Sequence, residues 1–229
     1  MNKRLNVKKM CGIAIFSALA FVVALVCNVI PPVAGFLSLD VKDAVIAIAS
    51  FAYGPVSAVI ISFIAAAIEW VTFSTTGWYG FIMNFASSAV FSLTASLIYR
   101  KFRSINGALS AFFAAIIATA GVMLVLNIFV TPIYLFDYIK VMPADAAREY
   151  VMSILPTILL PFNLAKALLN SSVAMLLYKP ITLALSRARL IEGKAGKLTF
   201  NKYSVIILVV GTVALATAIT SFILINNAS

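Results

Sequence analysis

Residues 106–130 read NGALSAFFAAIIATAGVMLVLNIFV, a run without a single charged side chain. A helix needs about 20 consecutive apolar residues to cross the hydrocarbon of a bilayer, so this run is long enough to span it. Similar runs lie outward from it in both directions, at 12–30, 79–99, 155–177 and 203–225. The repetition predicts an all-α, polytopic membrane protein.

The composition of the whole chain agrees with that class. Hydrophobic residues make up 63% of the sequence and charged residues 10%, against about 45–50% and 25% in soluble proteins. The formal net charge is +10, yet the basic residues cluster between apolar runs and are not interleaved with aromatic residues. We therefore expect contact with membrane lipid and no nucleic-acid partner.

The stretch 41–70 decides how many times the chain crosses the membrane, because Gly54-Pro55 interrupts it. Proline removes a backbone donor and disfavours helix in the preceding residue, so the stretch is either one kinked span or two short helices, 41–53 and 55–70. Cytoplasmic loops carry the excess of Lys and Arg, and two short helices put 13 of the 17 basic residues on the cytoplasmic side. Those residues are Lys3, Arg4, Lys8, Lys9, Arg100, Lys101, Arg103, Lys179, Arg187, Arg189, Lys194, Lys197 and Lys202.

The two-helix reading predicts six spans with a cytoplasmic amino terminus, followed by a seventh. The corresponding domains are a six-helix membrane domain at 1–185, a basic cytoplasmic linker at 186–202 and an extra carboxyl-terminal span at 203–229. The same topology places the following residues on the outer side of the membrane: Asp40, Lys42, Asp43, Asp137, Lys140, Asp145, Arg148 and Glu149.

Metal and enzyme chemistry are not expected from this sequence. It has no histidine, and the topology leaves no acidic cluster inside the membrane to bind a metal ion. It contains neither the phosphate-binding pattern GxxxxGK[ST] nor the GxSxG nucleophile motif.

Lys166 is the most informative single residue, because an ionisable side chain near the middle of a span is costly and by default indicates a function. Asn163 lies one helical turn earlier on the same face, and Pro156 and Pro161 upstream favour a bend that opens a cavity. The alternative is a structural pair that holds helices together, or a lysine that reaches the membrane interface. Asn127 is a second candidate for the cavity wall, although a lone asparagine also serves as a contact between helices.

An ordered set of short motifs resembles one transporter family. The motifs are Phe36-Leu-Ser-Leu-Asp40, Phe51-Ala-Tyr-Gly-Pro55, Asn84-Phe85, Asn127 with Pro132-Ile-Tyr134, and Pro161-Phe-Asn163-Leu-Ala-Lys166. Together they resemble the riboflavin-binding specificity subunits, or S components, of energy-coupling factor (ECF) vitamin importers. The resemblance covers roughly residues 5–185.

The resemblance implies a six-helix subunit of a prokaryotic plasma membrane that binds riboflavin with high affinity and needs no cofactor. It implies three partner subunits, a transmembrane coupling protein and two ATPases. By motif, Leu39 and Asp40 belong to a loop that covers the site, and Asn127, Asn163 and Lys166 contact the flavin. Ala14 and Ala18, spaced one turn apart on the first helix, match the face that meets the coupling protein.

Other ligands and mechanisms stay open at this stage. FMN is one alternative, although a multiply charged ligand would want more cations than Lys166. A different vitamin is another, because sibling S components share a fold and differ in their pockets. A stand-alone secondary transporter would favour repeated halves and paired charges inside the membrane, which the sequence does not indicate. The span at 203–225 departs from the family pattern.

Overall fold

The structure is a computed structural model, and it describes residues 7–102 and 105–188. Within these ranges all of the regular elements are helices, joined by short loops. Seven α-helices follow one another along the chain, and short π-helical turns precede and follow the sixth. The helices are α1 (Val7–Cys27), α2 (Lys42–Tyr53), α3 (Pro55–Thr72), α4 (Gly77–Lys101), α5 (Ile105–Ile133), α6 (Ala144–Ile154) and α7 (Leu160–Arg187).

The break predicted at Gly54-Pro55 is present and separates α2 from α3. Gly54 has φ 97° and ψ 170°, a conformation that residues with a side chain rarely adopt. Pro55 is the first residue of α3, where its missing N–H has no intrahelical partner to lose. The dipeptide therefore ends one helix and begins the next within a single residue.

Five segments of the described residues are long and apolar enough to cross a membrane: Val7–Cys27, Pro55–Thr72, Gly77–Lys101, Gly107–Tyr138 and Ala144–Tyr178. The remaining one of the six predicted spans, 41–53, corresponds to α2, which has only 12 residues. At about 1.5 Å per residue it is far shorter than the hydrocarbon is thick. The predicted span at 203–225 and all but the first residues of the linker at 186–202 lie outside the described residues.

The region predicted as an outer loop before residue 155 is helical instead. A π-turn, Tyr134–Tyr138, continues α5, and a second one, Leu155–Leu159, joins α6 to α7. In α6 the side chains of Ala147, Val151 and Ile154 are buried at helical spacing, while the acidic and basic side chains face outward. This amphipathic pattern is too short and too polar to be found by a search for long apolar runs.

Helix α2 lies at the centre of the bundle and packs against α1, α3, α4 and α7. Its segment Ala44–Ala49 is buried on every face. Alanines of the surrounding helices, including Ala95 and Ala167, contact it and let the backbones approach closely. The amino-terminal end of α2 lies at one end of the bundle. The starts of α4 and α7 and the end of α5 lie at the same end.

Candidate ligand-binding site

A cavity lies between α4, α5 and α7 beneath the loop that connects α1 to α2. Its empty space is about 690 Å³, including the part that opens outward, and ligand sites typically measure about 300–1,000 Å³. We call it the main cavity. Its lining residues are Phe36, Leu37, Ser38, Thr76, Tyr79, Gly80, Met83, Asn84, Ser87, Met123, Asn127, Val130, Thr131, Tyr134, Phe162, Asn163 and Lys166.

The α1–α2 loop covers the main cavity and is fixed by a tight turn. Val33 and Leu37 exchange two backbone hydrogen bonds of 3.0 and 2.9 Å, with Ala34 and Gly35 at positive φ between them. Val33 is fully buried in a cluster with Phe162 and Ala165 of α7. The loop is thus seated on the helix that carries the predicted ligand contacts.

Asn127 and Asn163 both line the main cavity, and each amide is oriented by its own helix. Asn127 Nδ2 donates to the Met123 carbonyl at 2.7 Å, and its Oδ1 accepts from Thr131 Oγ1 at 2.9 Å. Asn163 Nδ2 donates to the Leu159 carbonyl at 2.7 Å. A carboxamide has two N–H donors and two lone pairs, so both residues keep hydrogen-bonding capacity for a ligand.

Lys166 lines the main cavity and also holds the loop. Its Nζ donates to Asp40 Oδ2 at 2.7 Å and to the Ser38 carbonyl at 3.2 Å. The two predicted alternatives for this residue, a cavity wall and a structural pair, are therefore combined in one side chain. Because its partners lie in the covering loop, Lys166 links the loop to α7.

Several charged residues predicted to face outward are buried instead. Lys42 Nζ lies 3.3 Å from Asp40 Oδ2 and 2.9 Å from Glu69 Oε2, and these side chains are almost inaccessible. Asp43 is buried and accepts a hydrogen bond from Ser88. The sequence did not indicate paired charges inside the bundle, and these buried ion pairs contradict that expectation. Opposite charges offset one another's desolvation when their remaining atoms are hydrogen-bonded, and counting charges along a sequence does not detect such pairing.

Asp40 stays ionised in this setting. Burial alone would raise the pKa of its carboxyl group, but the ammonium groups of Lys166 and Lys42 together hold that pKa well below its usual range. Asn170 adds to the arrangement, because its Nδ2 donates to the Asp40 carbonyl at 2.9 Å and its Oδ1 accepts from Ala44 N at 2.8 Å. The start of α2 is therefore tied to α7 by one ion pair and two hydrogen bonds.

Leu39 and Asp40 do not line the main cavity; they line a neighbouring one. This second cavity has about 470 Å³ of empty space and shares Ser38, Thr76 and Asn84 with the first. Asn84 Nδ2 donates to Glu69 Oε2 at 3.2 Å. The predicted site residues omitted both of these side chains, although a lone glutamate at 69 and an asparagine at 84 within apolar runs were available as signals.

Ala14 and Ala18, the predicted coupling face, are exposed on the surface of α1, whereas Ala20 and Ala24 on the same helix are buried. Neither alanine lines either cavity. Among the described residues, no group of three or more His, Cys, Asp and Glu side chains is arranged to hold a metal ion.

Residues 8–178 match the family model of the ECF transporter substrate-specific component. The chain belongs to that family. This ECF S component is accordingly a multi-pass membrane protein of a transporter family and not of an enzyme family.

Two relatives of this S component are named for their substrate. Riboflavin transporter RibU of Staphylococcus aureus (strain TCH60) is 32% identical over 190 residues, which are 82% of this chain and 96% of RibU. Riboflavin transporter FmnP of Bacillus subtilis (strain 168) is 23% identical over 177 residues, 76% of this chain and 92% of FmnP. A solved structure of the S component of a bacterial ECF transporter is also similar, with a TM-score of 0.62 and 31% identity. It covers 79% of this chain and 98% of that one.

Proposed function

We propose that this ECF S component binds riboflavin with high affinity and delivers it to the cell together with an ATP-driven coupling module. That module would comprise a transmembrane coupling protein and two ATPase subunits. Residues 1–185 would form the binding domain. The riboflavin assignment is supported by the names of RibU and FmnP and by the chemistry of the main cavity.

The single observation that carries the proposal is the match between the cavity lining and a neutral flavin. An isoalloxazine ring needs an apolar slot with a few fixed donors and acceptors. Phe36, Tyr134 and Phe162 supply apolar and aromatic surface, while the amides of Asn127 and Asn163 supply oriented polar atoms. In this arrangement the two asparagines and Lys166 contact the flavin, and Leu39 and Asp40 belong to the loop that covers it.

The charge balance favours riboflavin over FMN. Of the described residues that line the main cavity, Lys166 alone is charged, and Asp40 neutralises it at 2.7 Å. A phosphate would bring roughly two negative charges that need cationic or multiple N–H partners. We therefore expect the neutral vitamin to bind more tightly than its phosphate ester.

The orientation we propose puts the cavities outside the cell and the amino terminus in the cytoplasm. Lys8 and Lys9 at the start of α1, Arg100 and Lys101 at the end of α4, and Arg187 at the end of α7 lie at the bundle end opposite to the cavities. Basic residues accumulate on the cytoplasmic side of membrane proteins. The cavities then face the medium from which the vitamin is taken.

The direct test is a fluorescence titration of the purified, full-length protein with riboflavin in detergent. Bound flavin is expected to lose its fluorescence with a one-to-one endpoint, and protein purified without added ligand is expected to be yellow. A colourless protein that leaves riboflavin fluorescence unchanged would contradict the assignment. Other vitamins would then be tested against the same fold.

A further inference from the structure

A further cavity lies at the opposite end of the bundle, among the start of α1, the junction of α2 and α3, and the end of α4. Its empty space is about 850 Å³, including the part that opens outward, and it shares no lining residue with the main or the second cavity. We call it the inner cavity. Its described charged lining residues are Lys9 and Arg100, both basic. A cleft lined by charges of one sign attracts ligands of the other, so this cavity favours an anion.

The charges of Lys9 and Arg100 are available to a ligand. The ion pairs of the described residues all involve Asp40 or Glu69, at the other end of the bundle. The remaining carboxylates of the described ranges belong to the first turn of α2 and to the region 134–154, which lies at that same far end. The two basic side chains come from different helices, α1 and α4, yet they line the same cavity.

The wall of the inner cavity is held in place by contacts between helices. Ser96 Oγ of α4 donates to the Ser50 carbonyl of α2 at 3.1 Å. The rings of Phe51 and Tyr99 lie against each other with centroids 4.4 Å apart, and Tyr99 and Tyr178 share a hydrogen bond of 2.7 Å between their hydroxyl groups. The cavity is therefore formed before any ligand arrives, which lowers the entropic cost of binding.

An exposed apolar face of α3 leads away from the inner cavity. Val56 lines the cavity, and Ile60 and Phe63 follow it at the spacing of one helix face. These side chains are 65%, 39% and 51% exposed, and they belong to a segment long and apolar enough to cross a membrane. A soluble anion has no use for such a face, whereas a lipid with its headgroup in the cavity would lay an acyl chain along it.

We propose that the inner cavity binds the phosphate group of an anionic phospholipid, with Lys9 and Arg100 as its cationic partners. An arginine guanidinium can donate two parallel hydrogen bonds to a phosphate, and a lysine ammonium adds a compact positive charge. The assignment does not depend on the identity of the transported vitamin. It rests on the proposed function only for the orientation, which puts this lipid in the cytoplasmic leaflet. A lipid bound to the folded bundle stabilises it by mass action.

The test is native mass spectrometry of the full-length protein in detergent with equal amounts of phosphatidylglycerol and phosphatidylcholine of the same chain length. We expect the unmodified protein to retain mainly phosphatidylglycerol. Each basic residue near an anionic lipid surface contributes about 1 kcal/mol, so Lys9→Gln/Arg100→Gln should weaken phosphatidylglycerol about 10- to 30-fold. Thermal unfolding is the parallel measurement. Phosphatidylglycerol should raise the melting temperature of the unmodified protein and leave that of the double variant unchanged.

The matched control is Lys101→Gln/Arg187→Gln. It removes one lysine and one arginine from exposed positions at the same end of the bundle, and neither residue lines the inner cavity. This control should retain phosphatidylglycerol as the unmodified protein does. An equal loss in both double variants would overturn the site, because general surface charge would then explain the binding. So would equal retention of the two lipids by the unmodified protein.

Inorganic phosphate in excess is the second probe, because it carries the same chemical group without acyl chains. We expect it to leave phosphatidylglycerol bound. Complete displacement would overturn the lipid assignment in favour of a soluble phosphate. Riboflavin titration of the same samples keeps the two proposals apart. Protein that retains the anionic lipid but binds no riboflavin would overturn the proposed function and support the lipid site.

Discussion

Asp40 is shared by two lysines, and that sharing determines what single substitutions do at the site. Removing one partner of a buried ion pair leaves the other charge without compensation, at a cost of about 3–5 kcal/mol. We expect Asp40→Asn and Lys166→Met each to lower the melting temperature strongly. The double variant should be more stable than the sum of the two effects predicts, by about 0.5–3 kcal/mol.

The measurement for this cycle is thermal unfolding in detergent, with riboflavin affinity determined in parallel. Arg148→Met is the control, because Arg148 is exposed on α6 and surface substitutions change stability by only about 0.5 kcal/mol. Strictly additive effects of the two substitutions would show that the contact between Lys166 and Asp40 contributes nothing to the folded state.

The lowered pKa of Asp40 also predicts how stability depends on pH. The pKa of an aspartate in an unfolded chain is about 3.9, and Lys166 and Lys42 lower the pKa of the Asp40 carboxyl group in the folded protein. The stabilisation is therefore fully present above the unfolded pKa and is lost only as the pH falls toward the folded one. We expect the difference in melting temperature between the unmodified protein and Asp40→Asn to be constant from pH 5 to 8 and to narrow below about pH 4. A difference that already narrows at pH 6 would contradict this assignment of charge.

Single residues were predictable from the sequence where their polarity conflicted with their surroundings. Lys166, Asn163 and Asn127 stand out in apolar runs, and all three line the main cavity. Lys42 and Glu69 lie 27 residues apart and form a contact that no local pattern encodes. From the sequence alone, charged residues at the start of a short helix cannot be distinguished from charged residues in an exposed loop. Their partners on other helices make the difference.

Among the elements, the junction of α2 and α3 depends on Gly54. The conformation of Gly54 is accessible almost only to glycine, so Gly54→Ala should destabilise the protein by about 1–3 kcal/mol, although no atom lies within 4 Å of the added methyl group. Gly121→Ala is the matched control. It also has open space around the new methyl group but sits inside α5, where alanine is favoured over glycine by about 0.5–1 kcal/mol. Opposite shifts in melting temperature are expected, and equal shifts would mean that backbone conformation is not the cause.

Long apolar helices and the Gly54-Pro55 break followed from the sequence, whereas α6 and the π-turns did not. Hydropathy identifies a helix that meets lipid over its whole length. Helix α6 buries one narrow face against its neighbours and exposes Asp145, Arg148 and Glu149. Averaged over its length, its sequence is therefore as polar as that of an exposed loop. The packing partners of such a segment decide its structure, and they are known only once the bundle is assembled.

For the molecule as a whole, we expect the exposed pair Ala14 and Ala18 to serve assembly and not ligand binding. We propose this face as the contact with the coupling protein, where small residues allow a close helix approach. The double variant Ala14→Leu/Ala18→Leu should bind riboflavin normally but fail to co-purify with the coupling module and to support uptake. Ala146→Leu, an equal enlargement at an exposed position of α6, should leave both properties intact. Loss of riboflavin binding in the double variant would show that the face acts on the cavity and not on assembly.

The short, enclosed helix α2 has a consequence for how the protein is made. With 12 residues and both Lys42 and Asp43 in its first turn, it is a poor substrate for insertion by the translocon, since a spanning helix needs about 20 residues and charged side chains oppose insertion. The partners that neutralise or cap its amino-terminal end lie on α3, α4 and α7, and those on α7 are synthesised more than 120 residues later. We therefore expect α2 to reach its final depth only after α7 has been synthesised.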